Sequence, residues 1–164
     1  MTVRFNPREL LTLAIQIEKN GYAYYTRMAA QAKDAKVKSI MQGLAKAEQQ
    51  HITDFQKIEA ALKPAGYDLP DDYQNPDMET YLRSLADGKV FSNLVPVEEI
   101  AAEIRSDLDA IRHALSFEKD SIIFFSEIHD LLPEGEPNRA AVAELIRQEK
   151  IHIAQLYALM EGRK

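Results

Sequence analysis

Six residues of the chain, Glu18, Glu48, His51, Glu118, Glu149 and His152, form a repeated pattern of acids and imidazoles. Each half has a single glutamate followed by a Glu-x-x-His pair, thirty residues on in the first half and thirty-one in the second. Residues three apart on a helix share a face, so each pair can present a carboxylate and an imidazole side by side. Four carboxylates and two imidazoles are the donor set of a two-metal site. One Glu-x-x-His is usually a surface pair on a helix. Two of them in register, each with a partner acid at the same offset, are a stronger signal.

The repeat reaches beyond the candidate ligands. Ala14, Glu18, Lys19, Tyr24 and Tyr25 align at an offset of 100 with Ala114, Glu118, Lys119, Phe124 and Phe125, and Glu48 and His51 align at 101 with Glu149 and His152. A period this long indicates a duplicated helical hairpin, since solenoid repeats run at roughly 20 to 50 residues and need several copies.

Four long helices must position these residues. Over 7–32, Leu11, Ala14, Glu18, Tyr22 and Tyr25 form one stripe, with Pro7 suited to a first turn. Asp34 can cap a second helix with Val37, Met41, Leu44, Glu48, His51, Phe55, Ile58 and Leu62 in line. A third aligns Ile111, Leu115, Glu118, Ile122 and Phe125. After the turn signal at 133–137, a fourth aligns Val142, Leu145, Glu149, His152, Leu156 and Leu159. All six candidates therefore stand where the pattern calls for a buried apolar side chain. Glutamate is almost never fully buried unless paired, and the nearest cations, Lys19 and Lys119, fall beside the stripes. Two divalent metals would supply four positive charges against four carboxylates.

The turns give an independent check. Glu18 and Glu48 are centred on residue 33, and Glu118 and Glu149 between 133 and 134. At about 1.5 Å per residue, each pair lies roughly 22 Å from its turn, so the four acids should be level. The expected fold is an all-α antiparallel four-helix bundle forming one domain over 1–164. Its halves are joined by a crossover at 64–97, too long for a neighbour connection and expected to hold a short helix rather than a bare loop. Asp77 can cap a short helix over 78–86 that Gly88 would end, and a further short helix should start near Pro96.

Composition narrows the chemistry. The 164 residues contain no cysteine, which removes thiolate metal sites, iron–sulfur clusters and cysteine nucleophiles within them. A net charge of -6 without a basic stripe argues against a nucleic-acid partner. No stretch approaches the roughly 20 apolar residues of a membrane span, and 1–7 lack a signal-peptide pattern; the expectation is a soluble cytoplasmic protein with no membrane partner. Carboxylate oxygens with imidazoles suit iron or manganese. His129 lies eleven residues past Glu118, roughly 16 Å along the helix, and reads as a helix-end residue; His113 and Glu127 fall off the stripe. Tyr22, Tyr25, Phe124 and Phe125 are expected to pack in the core.

This arrangement of Glu, Glu-x-x-His, Glu, Glu-x-x-His on four helices with a long crossover resembles the ferritin-like di-iron carboxylate proteins. The Glu-Lys pairs followed by aromatics six and seven residues later look like the di-iron domain of rubrerythrin. The resemblance implies that Glu48 and Glu149 bridge two irons, that Glu18 and His51 complete one and that Glu118 and His152 complete the other. It implies catalytic parts for the four glutamates and for Tyr25, which matches a tyrosine that hydrogen-bonds near the site. It also implies peroxide reduction or ferrous-iron oxidation by oxygen or peroxide, in a homodimer. Rubrerythrins typically carry a rubredoxin domain with four cysteines; without one, an external electron-donor protein is expected. The extra glutamate that rubrerythrin has on its third helix is Ser121 here. Bacterioferritin shares the six-ligand set, but its haem-binding methionine corresponds to Gln49, so no haem is expected. An iron-storage protein and a bundle with an empty site are the alternatives.

Overall fold

The computed structural model describes residues 4–86 and 92–163. Four long helices, α1 (Arg8–Gln31), α2 (Ala35–Ala61), α5 (Asp107–Leu131) and α6 (Pro137–Glu161), carry the bundle. Helix α1 packs against α2 and α5, and α6 against α5 and α2, closing a ring of four. The two hairpins meet with opposed directions. The Asp107 carboxylate at the start of α5 accepts from the Lys33 and Asp34 amides just beyond the end of α1, at 3.2 and 2.9 Å. Arg163, beyond α6, pairs with Asp34 at 2.7 Å. The crossover must therefore run the length of the bundle.

Local chemistry explains the helix limits. Asp34 caps α2 as expected, accepting from the amides of Lys36 and Val37, and Ser106 caps α5 by accepting from the Asp109 amide. These side chains satisfy amides that have no partner within the helix. Before α6, Gly135 takes φ 79°, a left-handed turn open to glycine. Pro137 then occupies the first turn of α6, where its missing N–H costs nothing.

The crossover holds β2 (Tyr67–Asp68), a 3₁₀ turn at Asp71–Tyr73, α3 (Pro76–Ala86), a second 3₁₀ turn at Ser92–Leu94 and α4 (Val97–Glu103). The two short helices expected there are present. The cap of α3 differs from expectation: Asn75, not Asp77, accepts from the amides of Asp77 and Met78. Both residue types cap well, and starting at Pro76 uses a residue that needs no amide partner in the first turn. Gly88, the expected end of α3, lies outside the described residues. Unexpectedly, β2 pairs antiparallel with β1 (Arg4–Phe5), tying the chain start to the crossover.

Every residue of the α2 stripe is buried. The α6 stripe is buried throughout as well, while the α1 and α5 stripes needed correction at their edges. Tyr22 is 39% exposed, so it is not a core residue. Leu115 and Ile122 are half-buried, while Phe117, Ser121 and Phe124 take the buried positions beside Glu118. A buried helix face is wider than one line of residues, and the neighbouring helices decide which edge it includes. The core forms two apolar layers. One includes Leu11, Phe55, Phe125, Ile128 and Val142; the other includes Tyr24, Met41, Ile111, Phe117 and Leu156. A polar layer separates them.

Candidate metal centre

That polar layer consists of the six residues singled out by their spacing. Glu18, Glu48, His51, Glu118 and Glu149 are at most 4% exposed and His152 is 7% exposed, so the bundle brings all six into its interior. Their donor atoms form two overlapping groups, each within 4.8 Å: Glu18, Glu48, His51 and Glu149 in one, and Glu48, Glu118, Glu149 and His152 in the other. Glu48 and Glu149 belong to both. Glu149 turns Oε1 to within 2.8 Å of His51 Nδ1 and Oε2 to within 3.0 Å of His152 Nδ1. Glu18 lies 3.5 Å from His51, and Glu118 lies 3.5 Å from His152. The imidazoles stack at 5.4 Å with 23° between their planes.

The charges are poorly compensated by protein groups. Among the described residues, none of the six forms an ion pair with lysine or arginine. Burial raises the pKa of Glu18. It raises Glu48 and Glu118 well above the carboxylate range, reinforced by neighbouring carboxylate charges, from Glu18 and Glu149 on Glu48 and from Glu149 on Glu118. Burial pushes Glu149 up too, but hydrogen bonding with Glu118, His152 and His51 outweighs it and holds Glu149 low. Burial disfavours a charged His152, yet hydrogen bonds to Glu118 and Glu149 raise its pKa to about 10. His51 is raised further by Glu149, Glu18 and Glu48 against the same burial effect. Without metal, protons occupy the place that cations would take.

Hydrogen bonding still falls short. Both oxygens of Glu18, Nδ1 of His51 and Oε1 of Glu149 are buried without an aligned partner, despite the 2.8 Å approach of the last two. Buried polar atoms are normally satisfied. Oxygen and imidazole donors left open toward one another fit divalent metals.

Gln148 makes the two imidazoles unequal. Its amide nitrogen donates to Glu144 at 3.0 Å, and its amide oxygen accepts from His51 Nε2 at 2.8 Å. Glu144 is itself held by a bidentate pair with Arg147 at 2.8 and 2.6 Å. Because a carboxylate only accepts, Glu144 orients the amide, and the amide keeps a proton on His51 Nε2. His51 Nδ1 thereby faces the carboxylates, placed to carry a second proton in metal-free protein or to hold a metal. His152 instead borders a hollow of about 240 Å³ with Gln148 and Gln155. Neither Gln148 nor Glu144 lies on a ligand stripe, so the sequence pattern offered no signal for them.

Tyr25, expected to hydrogen-bond near the site, donates to Glu118 Oε1 at 2.5 Å. Burial first, and the Glu118 charge second, hold its pKa well above that of an ordinary phenol. His129 and His113 stand apart: His129 contacts Asp130 at 2.8 Å, and His113 lies 3.9 Å from Glu103. Glu127 accepts from Tyr73 at 2.9 Å, fastening the crossover to α5.

Comparison with solved structures matches the whole chain to the whole of a chain from Thermotoga maritima, at a TM-score of 0.75 and 23% identity. That crystal structure is described as a candidate ferritin-like diiron-carboxylate protein; at this identity the likeness establishes the fold. Comparison with curated proteins gives no match. The family model described as Rubrerythrin matches residues 9–160. The ferritin-like bundle and its buried carboxylate–histidine layer agree with that match, and the chain belongs to the rubrerythrin family.

Proposed function

We propose that this protein is a two-iron oxidoreductase that reduces hydrogen peroxide, or oxidises ferrous iron with oxygen or peroxide. The observation that carries this reading is the buried layer of four carboxylates and two imidazoles with four unpartnered donor atoms. Uncompensated buried charges cost several kcal/mol each, on the order found for desolvated ions, and two divalent ions answer them. Glu48 and Glu149 would bridge the ions; Glu18 with His51 would complete one, and Glu118 with His152 the other. Manganese suits the same donors, so metal analysis belongs with the test.

A bound ferrous pair supplies the two electrons that, with two protons, convert one hydrogen peroxide to two waters. The protein's part is to hold the donors level, keep bulk water out and place proton-bearing groups. Tyr25 does the last, because its phenol keeps its proton and points it at Glu118. We assign re-reduction to an electron donor outside these 164 residues, which contain no cysteine, with an external electron-donor protein as the proposed source. On the family resemblance alone, the proposed assembly is a homodimer.

The test is addition of hydrogen peroxide to anaerobically reduced, iron-loaded protein. Peroxide should disappear at a rate proportional to iron content. No consumption by protein carrying two ferrous ions per chain would sink the peroxidase reading. A large assembly retaining far more than two irons per chain would indicate storage instead.

A further inference from the structure

A small cavity beside the six residues is touched by neither histidine. Gly21, Tyr25, Glu48, Asn93, Glu118 and Ser121 are in its wall, and about 10 Å³ is open to the centre of a water-sized molecule. That is space for about one such molecule. Asn93 arrives from the crossover and is only 2% exposed. Its amide nitrogen donates to Ser121 Oγ at 3.2 Å, while its Oδ1 is buried without a partner. Turning the amide end for end leaves an N–H unpartnered instead, so one hydrogen-bonding group stays open either way.

An unsatisfied buried amide costs on the order of 1–3 kcal/mol, and an apolar residue would avoid that cost. The backbone holds Asn93 in place, since Asn20 donates to its carbonyl at 3.0 Å. The opposite wall is close-fitting: a side chain on Gly21 would begin 3.3 Å from Glu48 Cδ. Ser121 sits at the matching position of the second hairpin, at an offset of 100, and brings a hydroxyl where Gly21 brings nothing.

We infer that Asn93 and Ser121, with Tyr25, form a subsite for one small molecule that both donates and accepts hydrogen bonds, water or hydrogen peroxide, against Glu48 and Glu118. Its place in the chemistry rests on the two-metal reading above. No bond is made or broken by Asn93 or Ser121; they hold and orient the guest.

Metal content is measured first, so a failure of the two-metal reading appears as absent metal. Crystals of the protein as purified should show an ordered oxygen bonded to the Asn93 amide, with or without metal; a dry cavity overturns the subsite. Azide is then titrated into oxidised iron-loaded protein and followed by absorbance. Asn93→Leu and Ser121→Ala should each weaken azide by about tenfold, the loss of one hydrogen bond to an anion, with metal content unchanged. Equal affinity in the wild type and a metal-replete Ser121→Ala protein overturns the proposal, even if Asn93→Leu fails to fold. A fivefold rise in the KM for hydrogen peroxide at constant kcat identifies peroxide as the guest. Weakened azide with unchanged KM identifies water.

Discussion

The two hairpins carry the same donors in different surroundings. In α1–α2, His51 is fully buried and its outer nitrogen is fixed by Gln148; in α5–α6, His152 is 7% exposed beside a hollow. Tyr25 of the first hairpin reaches across to Glu118 of the second, whereas its counterpart Phe125 packs on Phe55 at 4.7 Å between ring centres. Gly21 and Ser121 differ in the same way across the small cavity. The repeat thus preserves the candidate ligands and varies what surrounds them. The two proposed metal positions, built from matching donors, become inequivalent.

The largest predicted effect removes what the hairpins share. Glu149→Ala should reduce metal content from two ions per chain to near zero, because Glu149 faces both histidines. Glu18→Ala and Glu118→Ala should each retain one ion. Elemental analysis after gel filtration distinguishes these outcomes, and equal losses in all three variants would break the assignment of shared and unshared acids.

The next effect concerns stability against pH. His152 is raised from 6.5 to about 10, so its contribution is fully present below pH 6.5 and is lost as pH rises toward 10. His51, Glu18, Glu48 and Glu118, also raised, act in the same direction, with the carboxyl contributions starting to decline above 4.5. Metal-free protein should therefore melt at least about 5 °C lower at pH 9.5 than at pH 6.5. Metal binding should tighten over that interval, since metal displaces protons. Calorimetry with and without metal reads both slopes, and His152→Ala should flatten the metal-free slope only in part.

Gln148 gives the sharpest test of inequivalence. Gln148→Leu should weaken the ion on the His51 side by roughly 10- to 100-fold, the range for an outer hydrogen-bond partner of a ligand histidine. The His152 side should keep its affinity. Two-step anaerobic titration with cobalt(II) measures each site. Equal weakening of both steps would mean that Gln148 acts only through general packing.

The smallest effects come from making the hairpins alike. Phe125→Tyr places a phenol in an apolar layer and should cost about 1–3 kcal/mol in denaturant unfolding of metal-free protein. Tyr25→Phe removes one hydrogen bond and should cost about 1 kcal/mol. It should also slow peroxide consumption at unchanged iron content. If both substitutions are neutral, the tyrosine difference is incidental.

The six polar residues and their common level were legible in the sequence. Helical periodicity turns spacing into a face, and distance from the turn turns spacing into depth. Stripe edges were less legible: Tyr22 fits the period as well as Tyr25 does, and only the packing of α2 and α5 separates an exposed ring from a buried one. The cap of α3 was read as Asp77, whereas Asn75, two residues earlier, accepts from the Asp77 and Met78 amides.

By itself, then, the chain determined which side chains form the buried donor layer, because that information is local and repeated. The tertiary structure decided which Glu149 oxygen faces which histidine, that Gln148 orients His51, and that Asn93 reaches Ser121 beside the carboxylates. The contacts to His51 join residues 97 or 98 apart in the chain, and Asn93, 28 residues before Ser121, brings in the crossover. No periodicity encodes them, since they arise only when four helices and the crossover close on a shared interior.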